Sequence, residues 1–204
     1  MTHTTIDFWY EFASTYSYVA AFRIGKLAEE RGVEVAWRPF LLGPVFASQG
    51  WTTSPFNLFP LKGRYMWRDM ERICARHGLM LSPPDPFPAN GLLAARVALA
   101  LDDVARPAFT RAVYEAEFAA GADIGWPETV EAVLGDLGHH PPTVMERALS
   151  DANKAALKQQ TAEAQRLGIF GAPAMVCADG ELFWGNDRLE DALDWAAGRG
   201  ARPA

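Results

Sequence analysis

A strand, a turn and an amphipathic helix follow one another at the start of the chain, and this arrangement constrains the fold more than any other feature. Residues 6–10 (Ile-Asp-Phe-Trp-Tyr) are apolar and aromatic, which predicts a strand. Residues 18–30 place apolar side chains on one helical face, and Gly32 ends that helix. Residues 33–40 then alternate as a half-buried strand does. The sequence therefore begins with a β-α-β unit, in which a right-handed crossover joins parallel strands.

The middle of the chain has a helical pattern, and strand signals return only near its end. A proline-rich break at residues 82–88 interrupts this helical part. Apolar runs at residues 174–177 and 181–184 flank an Asp-Gly turn and predict a hairpin. We predict an α/β domain in two parts, interrupted by a large all-helical insertion. The parts are residues 1–58 and 160–204, and the insertion is residues 59–159. The predicted helices are 65–77, 92–101, 107–119, 127–137, 142–149, 151–167 and 189–197.

Composition excludes several classes of function. The net charge of −6 argues against a nucleic-acid partner, which needs a basic surface. No apolar run approaches the roughly 18 residues of a membrane span, and no signal-peptide pattern opens the chain. Cys74 and Cys177 are far apart and outside a C-x-x-C motif, so we expect buried thiols and a reducing cytoplasm. The four histidines lack a cluster of further ligands, so no metal site is predicted.

Ser14 lies at the predicted turn between the first strand and the first helix. A serine at this position can simply cap the helix. It can also donate a hydrogen bond to an anion, because the free amides and the helix dipole favour negative charge there. A thiolate at the same place would be stabilised and its pKa lowered. The local sequence leaves both roles open.

Three further segments hold candidates for binding a ligand. Pro173 precedes a strand, and a cis peptide bond there would leave the Ala172 backbone free to pair with an extended peptide, although a trans proline in a loop is the ordinary case. Asn186 and Asp187 either cap a helix or bind the carboxylate and ammonium of a zwitterion. Lys62, with Arg64, either begins a solvated helix or clamps a carboxylate.

Glu115 and Glu117 are a pair of carboxylates two positions apart in a predicted helix. A paired-carboxylate site is one interpretation of them. We expect instead that both lie on an exposed helix face.

Five segments together resemble a known family. They occur in the family's order and spacing across nearly the whole chain: residues 12–18, 54–65, 87–90, 170–173 and 184–188. On these segments the chain resembles the 2-hydroxychromene-2-carboxylate isomerases and the kappa-class glutathione transferases, within the DsbA-like branch of thioredoxin folds. Thr15 stands where the family usually has proline, and Glu11 where aspartate is common.

The resemblance implies a thioredoxin-like fold that is often dimeric and binds glutathione. Thioredoxin-like folds carry the reactive Cys of a C-x-x-C motif at the turn where this chain has Ser14 and Ser17. The resemblance therefore implies that bound glutathione supplies the sulfur. Ser14 would bond the glutathione sulfur, and Ala172 with a cis Pro173 would pair with the cysteinyl unit. Asn186 and Asp187 would hold the γ-glutamyl end. Lys62 would meet a carboxylate of glutathione or of a small aromatic carboxylate substrate.

Three functions remain open from the sequence. The first is a glutathione-dependent isomerase of aromatic catabolism, in which Ser14 tunes the thiol. The second is a kappa-like transferase that conjugates glutathione to electrophiles. The third is a non-catalytic module that binds thiols or peptides. A disulfide oxidoreductase is disfavoured, because the turn holds no cysteine.

Overall fold

A four-stranded mixed sheet forms the centre of the protein, whose computed structural model describes residues 4–200. The strands are β1 (Thr4–Tyr10), β2 (Val33–Pro39), β3 (Ala174–Cys177) and β4 (Leu182–Trp184), in the order β2-β1-β3-β4. β1 and β2 are parallel, whereas β3 is antiparallel to both β1 and β4. The predicted β-α-β unit and C-terminal hairpin are confirmed. The extreme ends of the predicted two-part domain, residues 1–3 and 201–204, lie outside the described residues.

Helices surround the sheet and fill the middle of the chain. A π-helical turn (Glu115–Ala119) continues the sixth helix, and a 3-10 turn (Asn186–Arg188) leads into the last one. The helices are α1 (Thr15–Glu29), α2 (Leu42–Ser48), α3 (Pro55–Leu58), α4 (Pro60–His77), α5 (Leu92–Ala100), α6 (Ala105–Tyr114), α7 (Pro127–Asp136), α8 (Pro141–Leu149), α9 (Asp151–Arg166) and α10 (Leu189–Ala196). Among the described residues, no helix is both long and apolar enough to cross a bilayer.

The alternation of β1 divides the core into two layers. Ile6, Phe8 and Tyr10 point into a large cluster that α1, α4 and the middle helices cover. Trp9 points the other way, into a smaller cluster beneath α2 and α9. Burial of each large apolar side chain contributes about 1.5–3 kcal/mol, so β1 is anchored from both faces. The turn that follows β1 therefore begins from a fixed point.

The helical part of the chain packs directly on β1. Tyr10 and Thr110 join their hydroxyls at 2.8 Å, and the Tyr114 hydroxyl donates to the Glu11 carbonyl at 2.9 Å. Residues of the sheet and of the predicted insertion belong to one buried cluster. The sheet and the middle helices thus share one core. The division of the chain at residues 58 and 159 stays a prediction.

Candidate functional site

Ser14 caps α1 and also bonds to a distant loop. Its backbone is extended (φ −90°, ψ 110°), and its Oγ accepts from the Ser17 N–H at 3.3 Å. The same hydroxyl donates to the Ala172 carbonyl at 3.0 Å, although the two residues are 158 positions apart. The geometry therefore includes both the capping role and a second contact that capping alone does not require.

The loop that receives this hydrogen bond is joined to the hairpin beside it. The Ala172–Pro173 peptide bond is cis, as expected. The Gly185 N–H donates to the Pro173 carbonyl at 2.9 Å. A Cβ at position 171 would lie 2.6 Å from Trp184 Nε1, so only glycine permits this approach. We call residues 170–173 and 184–188 together the loop wall.

Asn186 and Asp187 occupy different environments within the loop wall. Asn186 is 6% exposed, and both its carbonyl and its Oδ1 accept from Arg23 Nη1, at 3.0 and 2.7 Å. Arg23 lies on α1 and also forms an ion pair with Glu190. Asp187 is exposed, and its carboxylate folds back over Gly185, whose φ of +104° favours glycine. Arg23 lies outside the sequence motifs that predict this site.

The first turns of α4 form the other side of the site. The Thr15 hydroxyl donates to Met66 Sδ at 3.1 Å, and the Tyr16 hydroxyl donates to Asp69 Oδ2 at 3.0 Å. Thr15, which stands where the family usually has proline, is buried. Its hydroxyl needs a hydrogen-bond partner there, and Met66 Sδ provides one. Burial raises the pKa of Tyr16, and the carboxylates of Asp69 and, less strongly, Asp187 add to this effect. The Tyr16 ring thus lies between α4 and the loop wall.

Lys62 lies one turn before Met66 on α4, hence on the side of the helix that meets Thr15. Its Nζ is 4.7 Å from the centre of the Phe59 ring, and its side chain is exposed. We call residues 59–65 the helix wall. One hydrogen bond joins Ser14 to Ala172, and a second joins the adjacent Pro173 to Gly185, the residue before Asn186. Asp187 and Lys62 are exposed.

Two carboxyl groups lie behind the Ser14 turn, and one of them corrects an expectation. Glu115 is exposed as expected, but Glu117 is 0% exposed, and neither of its carboxyl oxygens has a partner among the described residues. Helix geometry is the reason, because residues two positions apart do not share a helix face, so that Glu117 faces the interior when Glu115 faces solvent. Burial, and then the Glu11 charge, raises the pKa of Glu117. Burial also raises the pKa of Glu11 to about 8, against an opposing bond from the Ala13 N–H.

The chain's own thiols lie away from this site. The two cysteines, Cys74 and Cys177, are 1% and 5% exposed. Burial raises the pKa of Cys74 to about 11 and that of Cys177 to about 12. Both thiols are therefore protonated at neutral pH. Within residues 4–200, no group of three His, Cys, Asp or Glu side chains is placed to hold a metal ion.

Comparison with known proteins agrees with this fold. The family model of the DSBA-like thioredoxin domain matches residues 5–194. A 2-hydroxychromene-2-carboxylate isomerase of Sphingobium xenophagum is 29% identical, over 91% of this chain and 94% of its own. Human glutathione S-transferase kappa 1 is 26% identical, over 91% and 88% of the two chains.

A solved structure adds the three-dimensional comparison. The structure of a 2-hydroxychromene-2-carboxylate isomerase superposes with a TM-score of 0.85 and 27% identity, covering 96% of this chain and 95% of that one. Both proteins therefore share the fold over nearly their whole lengths. The chain belongs to the family of DSBA-like thioredoxin domains, among relatives that are 2-hydroxychromene-2-carboxylate isomerases and kappa-class glutathione transferases.

Proposed function

We propose that the protein is a glutathione-dependent isomerase of unsaturated aromatic 2-oxo acids and their cyclic hemiketals, of the 2-hydroxychromene-2-carboxylate type. The observation that carries this proposal is the Ser14 hydroxyl, at the N-terminus of α1 and 3.0 Å from the Ala172 carbonyl, in a turn without cysteine. The names of the relatives support the reaction class and the thiol cofactor.

The polar groups around Ser14 fit the chemistry of glutathione, which carries a thiol, peptide groups, carboxylates and an ammonium group. The N-terminus of α1 favours a thiolate. The Ala172 carbonyl can accept from a peptide N–H. Asp187 offers a carboxylate for the ammonium, and the Asn186 amide can donate to a carboxylate. Lys62 is a cation for a further carboxylate, either of glutathione or of the substrate.

Ser14 acts on the thiol and not as a nucleophile. In the structure its hydroxyl donates to the Ala172 carbonyl. When a ligand N–H occupies that carbonyl, the hydroxyl becomes free to donate to the sulfur and so holds it as the thiolate. Bound glutathione supplies reversible thiolate addition to the substrate double bond, which permits rotation before elimination restores the double bond and releases the thiolate. The loop wall fixes the cofactor, and the helix wall orients the substrate carboxylate.

The test is turnover with and without glutathione. Protein freed of small-molecule thiols is mixed with a 2-hydroxychromene-2-carboxylate, with or without added glutathione. Conversion to the open-chain acid is followed by ultraviolet absorption. We expect turnover that requires glutathione, saturates with it and leaves its concentration unchanged. Full activity without glutathione would refute the proposal.

A second candidate, a kappa-like transferase, is favoured by the 26% identity to the human kappa enzyme. Both activities would use the same thiolate, and they differ in whether the product keeps the C–S bond. Mass spectrometry after incubation with glutathione and an electrophile distinguishes them. A stable thioether that accumulates with time identifies the transferase, whereas recovery of free glutathione identifies the isomerase.

The proposed cofactor also fixes the expected setting. A reducing cytoplasm keeps glutathione as the thiol, and we infer that compartment for this protein. We also infer a homodimer, from the resemblance to the family, and size-exclusion chromatography with light scattering tests it.

A further inference from the structure

Arg23 is a partly buried cation that contacts the loop wall. Its side chain is 14% exposed, and its guanidinium spans three acceptors on two neighbouring segments. Two of these acceptors belong to Asn186, and the third is the Glu190 carboxylate. Arg23 is on α1, as is the Ser14 cap. Three hydrogen-bonded contacts and the chain itself therefore form a closed path, from Ser14 through Ala172, Pro173, Gly185 and Asn186 back to α1.

This contact fixes the orientation of the Asn186 amide. A guanidinium only donates hydrogen bonds, so the Asn186 atom that lies 2.7 Å from Arg23 Nη1 must be the oxygen. The amide NH₂ group then occupies the other branch of the side chain. Asn186 consequently offers a donor, and not an acceptor, to a ligand at the loop wall. A donor at this place suits a carboxylate.

We propose that Arg23 is a positioning residue that holds the Asn186 amide as a donor for the γ-glutamyl carboxylate, and so makes the site selective for glutathione over thiols that lack this group. The inference rests on the proposed function. It adds a residue that would not contact glutathione and that acts through Asn186.

The chain contains a matched control in a second arginine. Arg31, just beyond the end of α1, pairs with Asp194 of α10 at 2.7 Å, and the two side chains are 15% and 41% exposed. The Arg23–Glu190 pair is 14% and 43% exposed. Both pairs join the region of α1 to α10, but only Arg23 contacts Asn186. Arg23→Met and Arg31→Met should therefore lose similar stability and differ in selectivity.

The experiment measures dissociation constants for glutathione and for cysteinylglycine, which lacks the γ-glutamyl group, by isothermal titration calorimetry. For Arg23→Met we expect about tenfold weaker binding of glutathione, because a charge-assisted bond no longer orients Asn186, with cysteinylglycine unchanged. Arg31→Met should keep the preference of the wild type. Arg23→Lys should keep part of the preference for glutathione, since lysine supplies a cationic donor but lacks the planar, forked guanidinium.

A second variant keeps the test informative if Arg23→Met does not fold. Asn186→Asp retains the oxygen that faces Arg23 and replaces the donor with an acceptor. We expect it to fold and to lose at least about tenfold in glutathione affinity, without loss for cysteinylglycine. Thermal unfolding of each variant verifies that it is folded.

The outcomes separate this inference from the proposed function. If the wild type prefers glutathione while Arg23→Met or Asn186→Asp keeps that preference, Arg23 has no positioning role. If the wild type binds no glutathione, the proposed function fails, and the inference fails with it. A loss of preference in Arg31→Met equal to that in Arg23→Met would likewise reject a specific role for Arg23.

Discussion

The two walls beside Ser14 differ in how firmly the fold holds them. In the loop wall, Asn186 is 6% exposed and bonded to Arg23, and the loops are joined to each other and to α1. In the helix wall, Leu61 and Tyr65 are 74% and 63% exposed, and Lys62 rests on the Phe59 ring. A surface that the fold already orders loses little conformational entropy when a ligand binds, so it suits a ligand of constant shape. The exposed wall suits a substrate that varies between relatives.

The largest expected effect is at Ser14, which donates a hydrogen bond to the loop wall. Ser14→Ala should lower kcat about 100-fold, because a donor to the developing charge is removed. The matched control is Ser150→Ala, since Ser150 caps α9 and accepts from Asn153 N–H at 3.2 Å, much as Ser14 accepts from Ser17. Each variant should lose about 1 kcal/mol of stability as a lost cap. Similar turnover in both variants would mean that Ser14 is only a cap.

The next effect tests the loop wall as the place of the cofactor. Asp187→Asn should raise the KM for glutathione about tenfold and leave kcat at saturation unchanged, because an ion pair to the ammonium is lost. Asp191→Asn is the control, since both carboxylates lie near Arg188 Nη1, at 3.9 and 3.6 Å. Steady-state kinetics with varied glutathione measures the difference. Equal effects at the two positions would remove Asp187 from the binding site.

A smaller effect is expected at the helix wall, where solvent screens the charge. Lys62→Met should raise the KM for the aromatic carboxylate about threefold and leave that for glutathione unchanged. The difference should shrink as salt increases. Arg72→Met, an exposed cation further along α4 and outside the helix wall, is the control. If the KM for glutathione rises instead, both walls bind the cofactor and the proposed division between them is wrong.

The smallest effect on turnover is expected at Glu11, behind the Ser14 turn, where a change of pH alters the stability of the fold. Burial raises the pKa of Glu11 from 4.5 to about 8, so the folded protein keeps a proton that the unfolded chain releases. Stability therefore falls as pH rises from about 4.5 to 8 and is unaffected by this group outside that window. Glu11→Gln should flatten this fall and raise Tm by a few degrees at pH 8. Glu115→Gln, on the exposed face, should leave the pH dependence of Tm unchanged. Equal profiles of Tm against pH for the wild type and both variants would contradict a raised pKa of Glu11.

The sequence predicts the fold well because its signals are local. The strand pattern of residues 6–10, the Gly32 stop and the Asp-Gly turn each act within a few positions, and the structure confirms them. The helices α2 and α3 were not predicted, since they have seven and four residues and are too short for a periodic pattern.

The site could be predicted only where a family motif marks it. Ser14, Pro173 and Asn186 fall in such motifs, and the structure brings them together. Arg23 does not, because its partner Asn186 is 163 positions away and no local pattern links them. Glu117 was misplaced for another reason: the prediction put both glutamates on one exposed helix face, although residues two positions apart on a helix do not share a face.

The burial of both cysteines has a practical consequence for chemical labelling. With thiol pKa values near 11 and 12, Cys74 and Cys177 are almost entirely protonated at neutral pH, and they are shielded from solvent. An alkylating reagent added to the folded protein should therefore consume a small-molecule thiol in solution long before it modifies the chain. Reagent uptake then reports on the state of the added thiol alone, and the appearance of protein adducts serves as an independent signal of unfolding.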